Sequence, residues 1–299
     1  MARPSKYTCG PNNRLAPVFI LLLPLLLLLG ACKDEAEQIP AYLDLQPFTV
    51  QADWGTDFHK ISEGWLYVDG EYLGAYTLPA KVPVLNAGVK EVLLYPGVRE
   101  NGQVETPNIY PFLKVFDKDF DLKAGETVVV NPTTTYDSRT VYLWDADQAN
   151  FNTSSIGWIN LDNDAGSSVQ LTNNGAFNGR CTYLRVDQAN PLMEIGTEPF
   201  LLPFDQLRET WMELHYNSNI PFDLFIYGVE NNGTQDSQPI FKFNFKETEG
   251  YNKIYFSLGG SVFQTQRPRY RLRIKASYPS NSTVGTGEVR LDNLQILHF

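Results

Sequence analysis

The sequence predicts an all-β protein, and three observations carry that expectation. Aromatic residues are abundant, with 16 Tyr, 18 Phe and 5 Trp against only 3 Met, and rings favour pleated, half-buried surfaces over helices. Segments that alternate apolar and polar residues dominate from Phe48 onward, while no stretch of ten or more residues keeps a 3.6-residue period. The turn chemistry agrees: Asp69-Gly70, a pair that tolerates positive φ at both centres of a type I′ turn, separates Trp65-Leu66-Tyr67-Val68 from Glu71-Tyr72-Leu73. With 299 residues and 43% hydrophobic content, the chain can build one large core or two moderate ones. Its net charge of −10 supplies no basic stripe for phosphate neutralisation, which excludes nucleic acid as a partner.

Residues 1–31 read as a signal peptide. Arg3, Lys6 and Arg14 precede an apolar run from Val18 to Leu29 broken only by Pro24. That run is too short to cross a hydrocarbon core of roughly 30 Å as a helix. It ends at Leu29-Gly30-Ala31-Cys32, which resembles the lipobox of bacterial lipoproteins. The resemblance implies cleavage before Cys32 and acylation of its thiol, with palmitate among the chains. Cleavage removes three basic residues and no acid, so the mature chain is more acidic than its precursor. Of the three cysteines it keeps Cys32 and Cys181, and lipidation of the first leaves the second without a disulfide partner. Lys33-Asp34-Glu35 resembles the Lys-acidic-acidic export signal of Bacteroidetes surface lipoproteins, and a solvated acidic tether explains it equally well. The expected location is the outer membrane, lipid-anchored and facing the cell exterior.

Residues 32–47, with Pro40 and Pro47, read as anchor and tether, and a small β-sandwich is expected over 48–131. After the Asp69-Gly70 hairpin, Val82 to Leu85 and Val89 to Tyr95 flank Asn86-Ala87-Gly88 as a second hairpin, and Phe112 to Phe116 and Thr127 to Val130 supply two more strands. The stretch from Leu66 to Pro79, with Gly70 and Gly74, followed by the Gly88 turn and an apolar strand, resembles the PEGA family of small β-sandwich domains. It departs from that family after Tyr95, where Pro96-Gly97 replaces the usual Gly-Tyr. PEGA domains imply a binding or spacer module of the cell envelope.

Residues 132–137, between Asn131 and Ser138, read as a stiff linker joining two independent cores. A larger jelly-roll β-sandwich is expected over 138–299, with strands at Trp211 to Tyr216, Phe222 to Tyr227, Ile240 to Phe245, Lys253 to Leu258, Tyr270 to Ala276 and Glu288 to Phe299. Alternation places Tyr270, Leu272 and Ile274 inward and Arg271, Arg273 and Lys275 outward. The ending Val289 to Ile296 resembles the last strand of galactose-binding-like jelly rolls, which include many carbohydrate-binding modules.

The sequence carries no recognisable catalytic motif. His59, His215 and His298 share no metal-ligand spacing. Glu213 and His215 point the same way on one strand and would form an acid/base pair, against the plainer reading of a solvent-facing polar row with Trp211. No nucleophile elbow, phosphate loop or dinucleotide fingerprint occurs, and Asp145, Glu213 and Asp223 are the candidates for a hydrolytic carboxylate pair. Asn160-Leu-Asp-Asn-Asp-Ala-Gly166 is rich in hard oxygen donors, so Asp162 and Asp164, with Asp292 on the final strand, are candidate ligands for a structural Ca²⁺, and an Asx-rich turn is the alternative. Trp158, Trp211, Phe225 and Tyr227 are the rings that alternation leaves exposed, and they are the candidate ligand platform. Together these features predict a non-catalytic, cofactor-free surface lipoprotein. Its role is that of a binding or adaptor subunit on an envelope protein partner, or alternatively capture of polysaccharide by the jelly roll.

Overall fold

The computed structural model describes residues 38–51, 58–85, 87–144, 156–162, 169–205, 209–280 and 285–299. Cys32, Lys33, Asp34 and Glu35 lie outside the described residues. Pro40–Phe299 forms one compact unit built almost wholly of strands.

The first strand, β1 (Ala41–Leu45), lies in the stretch read as tether, and Ala41, Leu43 and Leu45 are buried along one face. Among the described residues, strand structure therefore begins at Ala41, ahead of the start expected near Phe48. Pro40 and Pro47 suggested a linker, yet both fall outside the strand, where neither removes a ladder hydrogen bond. Next come β2 (Thr49–Val50), β3 (Glu63–Val68), β4 (Glu71–Thr77), β5 (Ala80–Val84), β6 (Gly88–Arg99), β7 (Pro107–Ile109), β8 (Phe116–Leu122) and β9 (Thr127–Val130). All but β2 make two sheets, one ordered β5-β1-β9 and the other β4-β3-β6-β7 with β8 also on β6. Leu43, Leu45, Leu66, Val82, Val92, Leu94 and Val130 fill the space between them.

The β3–β4 hairpin turns at Asp69 and Gly70 with φ of 49° and 79°, the positive pair that a type I′ turn requires. The second expected hairpin does not form. Strand β5 pairs with β1, setting Val82 opposite Leu43, whereas β6 pairs with β3, so the Gly88 turn carries the chain from one sheet to the other. The strand expected at Phe112 to Phe116 is displaced to β8, because Phe112 and Leu113 leave the sheet and bury their side chains at the junction with the larger module.

Within the connecting segment, β10 (Thr133–Thr134) pairs in parallel with β2. The larger module contains β11 (Val141–Tyr142), β12 (Trp158–Asn160), β13 (Gln170–Thr172), β14 (Cys181–Val186), β15 (Leu192–Thr197), β16 (Thr210–Ser218), β17 (Phe222–Val229), β18 (Phe241–Phe245), β19 (Asn252–Ser257), the short helix α1 (Gly259–Thr265), β20 (Arg269–Ser277) and β21 (Gly287–His298). One sheet runs β13-β14-β21-β16-β19 with β11 on β21, and the other runs β12-β15-β20-β17-β18. The chain alternates between the two, so that β14 ends beside β21 and β15 beside β20. That is the winding of a jelly-roll sandwich. Tyr270, Leu272 and Ile274 are fully buried, as alternation requires, among residues that include Leu214, Leu224, Phe256 and Leu291.

The two modules keep their own cores and also share a third. Val50, Val98, Tyr110, Phe112 and Leu113 of the smaller one pack on Trp211, Tyr255 and Leu297 of the larger. This differs from the expectation of independent cores. Strand β16 records the consequence: it is buried along both faces, with all but one of its nine residues out of solvent.

Candidate binding face

The shared core decides which surfaces of the jelly roll are available. On β16, Trp211, Glu213 and His215 do face away from the jelly-roll core, but the smaller module covers them. The solvent-facing row expected there is a buried one, with exposures of 2%, 1% and 2%. Trp211, exposed by alternation alone, is buried here; it donates its indole Nε1–H to Glu209 Oε2 at 2.9 Å and meets the Tyr110 ring edge-on at 5.6 Å. Alternation identified its face correctly and could not reveal that a second module sits on that face.

Charged groups in this junction satisfy one another. Lys253 Nζ lies 3.3 Å from Glu213 Oε2, which also accepts the Tyr110 hydroxyl at 3.2 Å. The Tyr255 hydroxyl accepts the backbone N–H of Lys60 at 3.0 Å. Burial, and then the Glu213 charge, push the Tyr110, Tyr136 and Tyr255 hydroxyls well above the usual phenol range. Burial and the Lys253 charge hold His59 down to about 3 and His215 down to about 2, so both imidazoles are neutral at pH 7. Glu213 and His215 do not pair as acid and base. Glu213 is taken by Lys253 and Tyr110, whereas His215 stacks on Phe177 at 4.2 Å and accepts Asn293 Nδ2–H at its Nδ1, 3.2 Å away. Asp223 belongs to the opposite sheet and faces away from Glu213, and Asp145 lies outside the described residues, so Glu213 and Asp223 form no hydrolytic pair.

The proposed calcium ligands do not converge either. Asp162 Oδ2 accepts the backbone N–H of Glu194 beside β15, whereas Asp292 Oδ2 on β21 accepts those of Phe177 and Asn178. Those strands belong to different sheets, and Asp164 lies outside the described residues. Among the described residues no group of three or more His, Cys, Asp or Glu is placed to share a metal ion. Trp158 is turned inward at the sandwich edge, donating Nε1–H to Thr182 Oγ1 at 2.8 Å and packing on the jelly-roll core.

Phe225 and Tyr227 remain, and they lie on the outer face of the second sheet. Leu224 and Ile226 point into the core from the same strand, so β17 presents Asp223, Phe225 and Tyr227 outward. The two rings are 5.9 Å apart. Register sets Arg273 opposite Phe225, Arg271 opposite Tyr227 and Lys275 opposite Asp223 on β20, and Lys242 and Asn244 opposite Phe225 and Asp223 on β18. Lys242 Nζ sits 5.3 Å from the Phe225 ring centre, and the Arg273 guanidinium 5.3 Å from that of Tyr227 while pairing with Glu194. Asn244 Nδ2–H donates to Asp223 Oδ1 at 3.0 Å. The result is a patch of two partly buried rings, tilted 39° to one another and each with a cation over it, amid hydrogen-bonding groups held by strand register.

A second set of rings escaped the sequence reading. Trp65, Tyr67, Tyr72 and Tyr95 lie together on the outer face of β3, β4 and β6, with centroid spacings of 5.0 to 5.7 Å. Cross-strand aromatic pairs of this kind stabilise a sheet. Gly97 makes room for one of them, since a Cβ there would lie 3.1 Å from Trp65 Cδ1. A cleft of about 330 Å³ opens on the smaller module and one of about 550 Å³ between it and Asp137 and Arg139, and neither includes Phe225 or Tyr227.

No protein-family model matches the chain, and no curated protein matches it. Among solved structures, it is similar to a carbohydrate-binding module of the β-sandwich superfamily (TM-score 0.38, 13% identity, covering 87% of this chain and 97% of that one). It is also similar to a xylan-binding domain from Paenibacillus barcinonensis (TM-score 0.32, 16% identity, 49% of this chain and 89% of that one). A third likeness is to the enzymatically active domain of a bacteriophage CBA120 tailspike protein (TM-score 0.35, 11% identity). That match covers 57% of this chain and only 26% of the tailspike chain.

Proposed function

We propose that this protein captures glycan, without catalysis, on the outer face of the β12-β15-β20-β17-β18 sheet. The observation that carries the reading is that the smaller module closes one sheet of the jelly roll, whereas among the described residues the outer face of the other stays partly exposed and bears Phe225 and Tyr227 ringed by Asp223, Asn244, Lys242 and Arg273. Flat rings stack on the apolar faces of sugar rings, while carboxylate, amide and guanidinium groups bond the hydroxyls around them. Because these groups stand on strands of one sheet, the platform exists before ligand arrives and loses little entropy on binding. Of the two roles drawn from the sequence, this geometry supports glycan capture better than the adaptor role.

The double variant Phe225→Ala/Tyr227→Ala should lose about ten-fold or more in affinity for soluble polysaccharides in native affinity gels, since 1.4 kcal/mol corresponds to ten-fold. Both side chains are partly solvated, so its melting temperature should stay near that of the wild type. Unchanged retardation of the folded variant on every polysaccharide that retards the wild type would sink the reading.

We further propose that Cys32 carries the acyl anchor. In cells, Cys32→Ala should move the protein from the membrane to the soluble fraction, and acyl-chain labelling of the variant at wild-type level would overturn the assignment.

A further inference from the structure

We propose that the open sheet face selects an acidic glycan, one carrying carboxylate or sulfate groups along its chain; this rests on the glycan-capture reading above. The outward positions of the sheet hold Arg269, Arg271, Arg273, Lys275 and Lys242 against the two carboxylates Asp223 and Glu194. A net positive face on a chain of net charge −10 is a local reversal of sign. It draws acidic ligands to this side of the molecule and repels them elsewhere.

The pairing of these charges leaves an excess in place. Glu194 is taken by Arg273, and Asp223 sits 3.9 Å from Lys242 and accepts Asn244. Arg271 donates its Nε–H to the backbone carbonyl of Thr197 at 3.0 Å, which orients the guanidinium without neutralising it. Among the described residues no carboxylate lies within 4.0 Å of the cationic groups of Arg269, Arg271 or Lys275.

Spacing extends the argument from charge to polymer. The outward residues of β20 recur every second position, about 6.6 Å apart, so that Arg269 to Lys275 form a row about 20 Å long. Phe225 and Tyr227 lie on the adjacent strand, directly opposite Arg273 and Arg271. A polysaccharide laid along β17 would stack on the rings while acidic substituents on one edge of the chain met the row. Guanidinium groups suit both kinds of acid, since a planar fork of donors matches carboxylate and sulfate oxygens alike.

The experiment compares polymers matched in backbone and differing in charge, using the full chain in detergent: dextran against dextran sulfate, and a neutral galactan against polygalacturonate, with duplex DNA as a third polyanion. Retention should be at least ten-fold stronger on whichever acidic polymer is recognised than on its neutral counterpart, and it should weaken with added salt. Dextran sulfate and polygalacturonate separate the sulfate from the carboxylate. Arg269→Gln/Lys275→Gln, which removes no ring and two of the three cations that have no carboxylate partner among the described residues, should cut the preference several-fold while leaving the melting temperature unchanged. Equal retention of neutral and acidic polymers, with Phe225→Ala/Tyr227→Ala still abolishing both, would overturn acid selection and leave glycan capture standing. Retention on DNA as strong as on the acidic glycans, and insensitive to loss of the rings, would overturn both. So would failure of every polymer to bind.

Discussion

Lys253→Met should destabilise the folded chain by about 3–5 kcal/mol, the range for a buried ion pair that loses one partner. Lys253 and Glu213 are 5% and 1% exposed at their side chains, with 3.3 Å between charged atoms. Without Lys253, the Glu213 carboxylate keeps, among the described residues, the Tyr110 hydroxyl as its hydrogen-bond partner in a space lined by the Trp211, Tyr255 and Tyr110 rings. The double variant Glu213→Gln/Lys253→Met should regain much of the loss, because a neutral amide can still accept the Tyr110 hydroxyl and no unpaired charge remains. Urea unfolding followed by tryptophan fluorescence measures both, with Trp211 reporting from the junction itself. The transition should stay single, since the affected contacts belong to the core that the two modules share. A loss below about 1 kcal/mol for the single variant would mean that water reaches Glu213 and that the junction is looser than its packing indicates.

That junction also marks the limit of what the sequence discloses. Period-two alternation located β16, β17, β19, β20 and β21 within a residue or two, and it sorted Tyr270, Leu272 and Ile274 from Arg271, Arg273 and Lys275, because one face of each pleated strand meets a core. The same rule put Trp211 and Phe225 outward alike, and only assembly distinguishes them. Trp211 is covered by Tyr110 and Phe112, which reside more than ninety positions earlier in a loop with no regular period. Strands β12, β13 and β15 were missed for a different reason. Glu194, Gly196 and Thr197 break the apolar signal of β15, and β12 and β13 are three residues each, too short to show a period. The sheet change at Gly88 was illegible because a turn glycine serves a hairpin and a crossover equally well; the choice lay in whether Val82 and Val84 found β1 or β6 as neighbour. Phe225 and Tyr227 were legible as candidates, but the charge around them emerged only when register brought β18 and β20 alongside.

Asp292→Asn should make the protein progressively more stable than the wild type as pH rises from 4 to 8, with the difference growing by about 4 kcal/mol. Asp292 is fully buried on β21, and burial pushes its carboxyl from 3.8 up to about 7, against the backbone N–H groups of Phe177, Asn178 and Asn293 and the charge of Lys253, which favour the ionised form. Its Oδ2 accepts two of those N–H groups and its Oδ1 meets no hydrogen-bond partner among the described residues, an arrangement suited to a protonated acid or an amide. Between about pH 4 and 7 the folded chain holds a proton that the unfolded chain releases. The folded state thus binds more protons, and this group's contribution to stability falls as pH rises through that window. His59 and His215 act in the opposite sense. Their folded pKa values, depressed to about 3 and about 2, mean that the unfolded chain binds protons which the folded chain refuses, so their contribution grows with pH up to about 6.5. Two histidines against one carboxyl leave the wild type gaining stability across most of the acid range, and the Asp292 effect is hidden unless the variant is compared with it at each pH. Urea unfolding of both proteins at unit intervals from pH 4 to 8 isolates the term, because the histidines are common to both. Curves that stay parallel across that range would mean that Asp292 is ionised in the folded state throughout, with its charge stabilised by Lys253 and the three backbone donors well enough to offset burial.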